Sequence, residues 1–203
     1  MPKSVAVFDI DEVLADVRTP LNLFLKEKHG IVMQRNDWRV FKSELNPKTR
    51  RVAPDIMKFI HSEDFFAGLK PFPGVVAGLR RVATENRIFI ATARLPKFKG
   101  VTEHWLAKLN TPFEDIFCGE IKYGVIVRVR ADKFVDDMLN EHQGLLPYRR
   151  QNPNFKQIIN TRPWNDFYND PRFIRAHDWV RKSGQKTILE RIIQKRGCRE
   201  TNH

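Results

Sequence analysis

The chain of 203 residues carries 36 lysines and arginines against 24 aspartates and glutamates, a formal net charge of +12. Hydrophobic residues make up 41% and aromatics 11%, which excludes a disordered or fibrous chain and leaves room for one domain that carries an insertion. The first apolar run is broken by Asp9, so no signal peptide or membrane span is expected, and Cys118 and Cys198, without metal or disulfide spacing, fit a reducing cytoplasm.

In chain order, Ser4–Phe8 is predicted to be a strand buried on both faces, as parallel strands under helices are. Asp9 and Asp11 fall just past its C-terminal end, the edge where open α/β sheets bind ligands. Leu21, Phe24 and Leu25 recur at helical spacing with Gly30 as a stop. A polar, basic stretch follows to Ala53, and Pro54 opens a short helix with Ile56, Phe59 and Ile60 on one side. Together these form a small helical insertion. Pro73 starts a helix with Val76, Leu79 and Ala83 on one face, and "RIFIATAR" gives a second buried strand ending at Thr92. Thr102 is read as the cap of a helix carrying Trp105, Leu106 and Leu109 inwards. "YGVIVRV" reads as a strand, "KFVDD" as a short strand ending in Asp136 and Asp137, and "KQIIN" as one more. An amphipathic helix stopping at Gly197 closes the pattern.

Three strand ends thus deliver Asp9/Asp11, Thr92 and Asp136/Asp137, with Lys122 in the connection before "YGVIVRV". Carboxylates clustered in a low-dielectric crevice repel one another at a cost on the order of several kcal/mol unless a cation offsets it. Mg²⁺ suits such a set, because it takes hard oxygen ligands and keeps waters that a substrate phosphate can replace. One Asp can then attack phosphorus, and its neighbour two residues on can protonate the leaving oxygen and later activate water. Thr92 offers a hydroxyl to a phosphoryl oxygen and Lys122 a positive charge.

"FDIDEVLAD", "IFIATAR", Lys122 and "KFVDD" resemble the four motifs of the haloacid dehalogenase superfamily of phosphatases. The resemblance implies an α/β fold with a Rossmann-like parallel sheet and a small helical cap inserted after the first strand. It makes Asp9 the nucleophile, Asp11 the general acid/base, Thr92 the phosphate binder and Lys122 the motif-three lysine, with Lys133 as a rival for the last role. It implies Mg²⁺ ligands from Asp9, the Asp11 carbonyl and Asp136, with Asp137 supporting from outside the coordination sphere. Within the superfamily the chain is similar to the 5′(3′)-deoxyribonucleotidase family through "DEVLAD", "DFFAGLKPFPGVVAGLRRV" and "IINTRPWN" followed by "RAHDWV". That similarity implies residues 1–16 and 69–203 as phosphatase core, residues 17–68 as cap, and hydrolysis of nucleoside, in particular deoxynucleoside, monophosphates.

Three departures separate the chain from that family: Glu12 stands for a Gly, Val17 for an aromatic base-stacking residue, and the pair Ala93-Arg94 for Ser-Pro. Trp38, Phe41, Phe65 and Phe66 are candidates for the missing base contact or for core packing. Arg94 is either a second phosphate contact or a structural ion-pair partner. The substrate expected is a small phosphate ester, and the basic surface leaves nucleic acid open as a partner. The competing readings are a polynucleotide 3′-phosphatase, favoured by the charge, and a nucleic-acid-binding protein on a degenerate phosphatase fold, opposed by four chemically intact motifs.

Overall fold

The computed structural model describes residues 3–40, 45–180 and 184–193. Its strands are β1 (Ser4–Phe8), β2 (Ala15–Asp16), β3 (Lys70–Pro71), β4 (Asn86–Thr92), β5 (Asp115–Cys118), β6 (Lys133–Asp136), β7 (Lys156–Asn160) and β8 (Ile174–Ala176). Its helices are α1 (Arg18–His29), α2 (Ala53–Ile60), α3 (Glu63–Gly68), α4 (Val75–Ala83), α5 (Lys99–Lys108), α6 (Lys122–Val129), α7 (Leu139–Gly144), α8 (Leu146–Gln151) and α9 (Ile188–Ile193). Six strands form one parallel sheet in the order β5-β4-β1-β6-β7-β8.

The central strands are apolar throughout because both of their faces are covered. Along β1, Ala6 and Phe8 enter one core cluster and Val5 and Val7 another, as the two-residue period of a strand requires. The same division sends Ile88 and Ile90 of β4 to the first cluster and Phe89 and Ala91 to the second. Val75, Leu79 and Val82 of α4, Trp105 and Leu106 of α5, and Ile188 and Ile192 of α9 cover the first face. Val125 and Ile126 of α6 and Tyr148 of α8 cover the other. All connections between these parallel strands must cross from one end of the sheet to the other, so the loops leaving β1, β4, β5 and β6 gather at a single edge.

Among the described residues, the chain between β2 and β3 holds α1, α2, α3 and two short 3₁₀ turns, and β2 and β3 close it as an antiparallel pair with Ala15 opposite Pro71. Leu21, Leu25, Met33, Trp38 and Ile56 pack there into a third cluster with Trp164. Gly30 stops α1 in the left-handed conformation, its N–H bonded to the Lys26 carbonyl, as its place in the sequence indicates.

Three expectations change. "YGVIVRV" is the body of α6, not a strand: Lys122, Val125 and Ile126 are buried and Val129 half-buried, a helical stripe that overrides the β-branched composition. Thr102 lies inside α5, which begins at Lys99, and caps nothing. Strands β2, β3, β5 and β8 were not anticipated, and Gly197 lies outside the described residues.

Trp179 fastens the loop after β1 to this frame. Its ring stacks on Phe8 at 5.8 Å and its Nε1–H donates to the Val13 carbonyl at 2.9 Å. Gly78 of α4 makes room for it, since a Cβ there would fall 2.3 Å from Trp179 Cε3. Gly78→Ala therefore destabilises the protein by about 1–3 kcal/mol although Ala is the better helix former. Urea unfolding measures this, and a variant as stable as the parent would show that Trp179 gives way freely.

Candidate active site

The loops at the C-terminal edge of the sheet enclose a cavity of about 330 Å³. Asp9 and Asp11 follow β1, Thr92 ends β4, Lys122 opens α6 and Asp137 follows β6, and all five line it. Val17, Ile60, Phe65 and Phe66, from the chain between β2 and β3, form its apolar wall.

At its floor the buried Lys122 ammonium lies 2.5 Å from Asp136 Oδ2 and 3.1 Å from Asp9 Oδ2. Burial works against that charge, but Asp136 and Asp9 more than offset it and hold the group above the usual lysine range. Asp136 is fully committed, because its other oxygen accepts the Met138 N–H at 2.8 Å. Asp9 is pushed up to about 7 by burial, against the pull of Lys122 and with the help of Asp136 and Asp11. Its Oδ1 is buried without a hydrogen-bond partner. Burial, then Asp136 and Asp9, raise Asp137 well above the carboxylate range.

Carboxylate oxygens of Asp9, Asp136 and Asp137 lie within 4.8 Å of one another. A buried oxygen without a donor and two carboxyls raised by burial and by neighbouring negative charge suit a hard divalent cation. The two carboxylates of the "DD" pair are placed differently. Asp137 lines the cavity, whereas Asp136 lies beneath it with both oxygens taken by Lys122 and Met138. Asp136 is thus the anchor of the lysine, and Asp137 the carboxylate open to the cavity.

Lys122 rather than Lys133 is the lysine of this site. Lys133 begins β6 at the opposite end of the sheet, where its Nζ donates to Ser4 Oγ and Asn86 Oδ1. Phe65, Phe66 and Arg94 all reach the cavity. Trp38 does not line it: it packs against Leu21, Leu25, Met33, Ile56 and Trp164, because the turn that carries it faces α1 and α2. Phe41 lies outside the described residues.

Sequence reasoning left Glu12 and the segment after β7 without a task. Glu12 has a left-handed φ of 59°, which a Gly would adopt without strain. Its buried carboxylate accepts the N–H groups of Val17 and Arg18 at the start of α1 and pairs with the side chains of Arg18 and Arg162. Asn160 and Arg162 donate to the Glu12 carbonyl, while Trp164 Nε1 donates to Asp137 Oδ2 and Asn165 to the Asp137 carbonyl. The quoted "IINTRPWN" was the signal for this buttress.

The sheet, its order and the carboxylate-bearing edge are those of the haloacid dehalogenase-like fold. Similar solved structures include haloacid dehalogenase-like hydrolases from Streptococcus pneumoniae, at 12% identity and a TM-score of 0.56 over 85% of this chain and 93% of that one, and from Burkholderia xenovorans, at 14% and 0.56 over 94% and 96%. Another is a subfamily IA hydrolase from Geobacter sulfurreducens, at 13% identity and a TM-score of 0.54 over 85% and 91%. Over residues 3–190 the chain matches the family of the 5′ nucleotidase, deoxy (pyrimidine), cytosolic type C protein (NT5C), and it belongs to that family. It is accordingly a phosphoric monoester hydrolase. No curated protein matches the chain. Among the described residues no helix is long and apolar enough to cross a membrane.

The raised carboxyls set a pH dependence. A carboxyl that titrates at about 7 when folded and at 3.8 in the unfolded chain binds more protons in the folded state between those values, so stability falls as pH rises through that window. His142, pushed down to about 4 by burial, acts in the opposite sense below its ordinary value of 6.5 and drops out above it. From pH 6.5 to about 7 the metal-free protein therefore loses stability, and a divalent cation restores more at the upper end. Thermal unfolding in chelator and in Mg²⁺ checks this; a melting temperature in chelator that rises across the window would contradict it.

Proposed function

We propose that the protein hydrolyses nucleoside monophosphates, deoxynucleoside monophosphates in particular, with Mg²⁺ and through an aspartyl-phosphate on Asp9. The observation that carries this reading is Asp9 itself: a cavity-lining carboxylate with one oxygen held by Lys122 and the other buried without a partner. Asp9 and Asp137 would hold Mg²⁺ together with the Asp11 carbonyl. Bound there, the cation offsets the negative charge of the carboxylates and of the substrate phosphate.

The residues then act in two steps. An Asp9 carboxylate oxygen forms a bond to phosphorus while the bond to the leaving oxygen breaks, and the Asp11 carboxyl gives its proton to that oxygen, releasing the nucleoside. Asp11, now a carboxylate, takes a proton from water as the water oxygen attacks phosphorus; inorganic phosphate leaves and Asp9 is restored. The Lys122 ammonium, fixed by Asp136, favours the ionised form of Asp9 and stabilises charge on the transferring phosphoryl group. The Thr92 hydroxyl donates to a phosphoryl oxygen.

On this reading residues 17–68 are a cap hinged at the β2–β3 pair. Val17, Ile60 and Phe65 give the base an apolar wall, and closure over it excludes water. A volume of about 330 Å³ is of the size that encloses one small ligand. The free thiol of Cys118 suits a reducing cytoplasm. The charge of +12 favours a second reading, a phosphatase of polynucleotide 3′ ends.

Purified protein with Mg²⁺ is expected to release phosphate from a nucleoside monophosphate with a higher kcat/KM than from a 3′-phosphorylated oligonucleotide, at low and at moderate salt. If the oligonucleotide is the better substrate at moderate salt, the second reading replaces the first. Asp9→Asn is expected to fold and to lose turnover, since an amide neither attacks phosphorus nor holds Mg²⁺ well. Phosphate release at the parent rate by folded Asp9→Asn would rule the mechanism out.

A further inference from the structure

Arg94 stands where a Pro is usual in the family, and its side chain is 1% exposed. Its Nη2 donates to Asp11 Oδ1 at 2.6 Å and its Nε to Asp11 Oδ2 at 3.0 Å, so one guanidinium edge grips both carboxylate oxygens. Nη1 donates to Thr102 Oγ1 of α5 at 3.2 Å, and the guanidinium carbon lies 4.3 Å from the centre of the Phe66 ring on α3. Phe66 is itself fixed edge-on by Phe65 and Phe98. The guanidinium is thus held on two edges and one face, with no freedom to swing towards a phosphate without giving up the pair. The Asp11 carboxylate, in contrast, is 32% exposed and lines the cavity.

We infer that Arg94 is the positioning residue of the leaving-group acid: it fixes the plane of the Asp11 carboxyl and makes no contact with the phosphate. A planar fork bonded to both oxygens sets orientation as well as distance, which a point charge cannot do. The pair also ties Asp11 to Phe66 on the wall of the leaving-group pocket, so that the acid and the wall keep one fixed relation. The inference rests on the reading of Asp11 as the group that protonates the departing oxygen. If Arg94 acts only through Asp11, it matters in proportion to how much the leaving oxygen needs a proton. An alkoxide leaving from a nucleoside monophosphate needs one; p-nitrophenolate, leaving from p-nitrophenyl phosphate, does not.

The test measures the first turnover, as release of nucleoside or of p-nitrophenol, for the parent, Arg94→Gln, Arg94→Lys, Asp11→Asn and the double variant Asp11→Asn/Arg94→Gln. Arg94→Gln is expected to slow nucleoside release roughly a hundredfold or more, the range of a general acid, and p-nitrophenol release by less than about tenfold, with KM little changed. Arg94→Lys keeps the charge and guards against misfolding, and it is expected to show the same selective loss because it cannot bond both oxygens squarely. The double variant is expected to be no slower than Asp11→Asn alone. An equal loss on both esters, a raised KM with unchanged turnover, or additive losses in the double variant would overturn the inference. A parent protein that releases neither alcohol would remove the phosphatase reading beneath it, a result distinct from these.

Discussion

The site is organised around one buried ammonium. Lys122 is shared between Asp9 and Asp136 at 3.1 and 2.5 Å, and each of the three side chains would be strongly disfavoured there without the others. The lysine arrives from the first turn of α6, where the stripe that buries Val125 and Ile126 also turns Lys122 inwards. Asp136 is locked from behind by the Met138 N–H, and its carbonyl meets the ring of His142, which burial keeps neutral. One ammonium against Asp9, Asp136 and Asp137 leaves the pocket short of positive charge. The unpartnered Asp9 Oδ1 and the raised Asp137 are two expressions of that deficit.

Support for the site comes from far along the chain. Arg162, Trp164 and Asn165, in the segment after β7, hold Glu12 and Asp137, while Glu12 receives the start of α1. The first strand's loop, the start of the inserted helices and the C-terminal segment are therefore one hydrogen-bonded unit. Arg94 and Arg162 are buried in this machinery and paired with carboxylates, so part of the formal charge of +12 faces inwards and adds nothing to the surface field.

The strand ends that carry Asp9, Thr92 and Asp136 were legible because a parallel strand covered on both faces is a continuous apolar run, and its end is marked by the first polar side chains. Residues Tyr123 to Val129 were misread for a physical reason: Val125, Ile126, Val127 and Val129 have strand propensity, and only packing against the sheet makes the segment a helix. Which of two adjacent aspartates faces the cavity depends on the turn after β6, and composition carries no trace of it. Trp38 shows the same limit, since an aromatic side chain in an insertion is equally suited to a wall or to a core. Glu12 stands out in the sequence as a non-glycine where the related family has Gly, but its carboxylate finds partners at Arg18 and Arg162 only once the chain is folded.

The central claim is that Asp9 forms the bond to phosphorus. A nucleoside monophosphate labelled in its phosphate, mixed with the parent protein and Mg²⁺ and quenched in acid within one turnover, tests it most directly when the labelled peptide is sequenced. The account predicts label on Asp9, formed no more slowly than nucleoside is released and lost as phosphate appears. Turnover without labelled protein, or label on Asp11 or another residue, would contradict it.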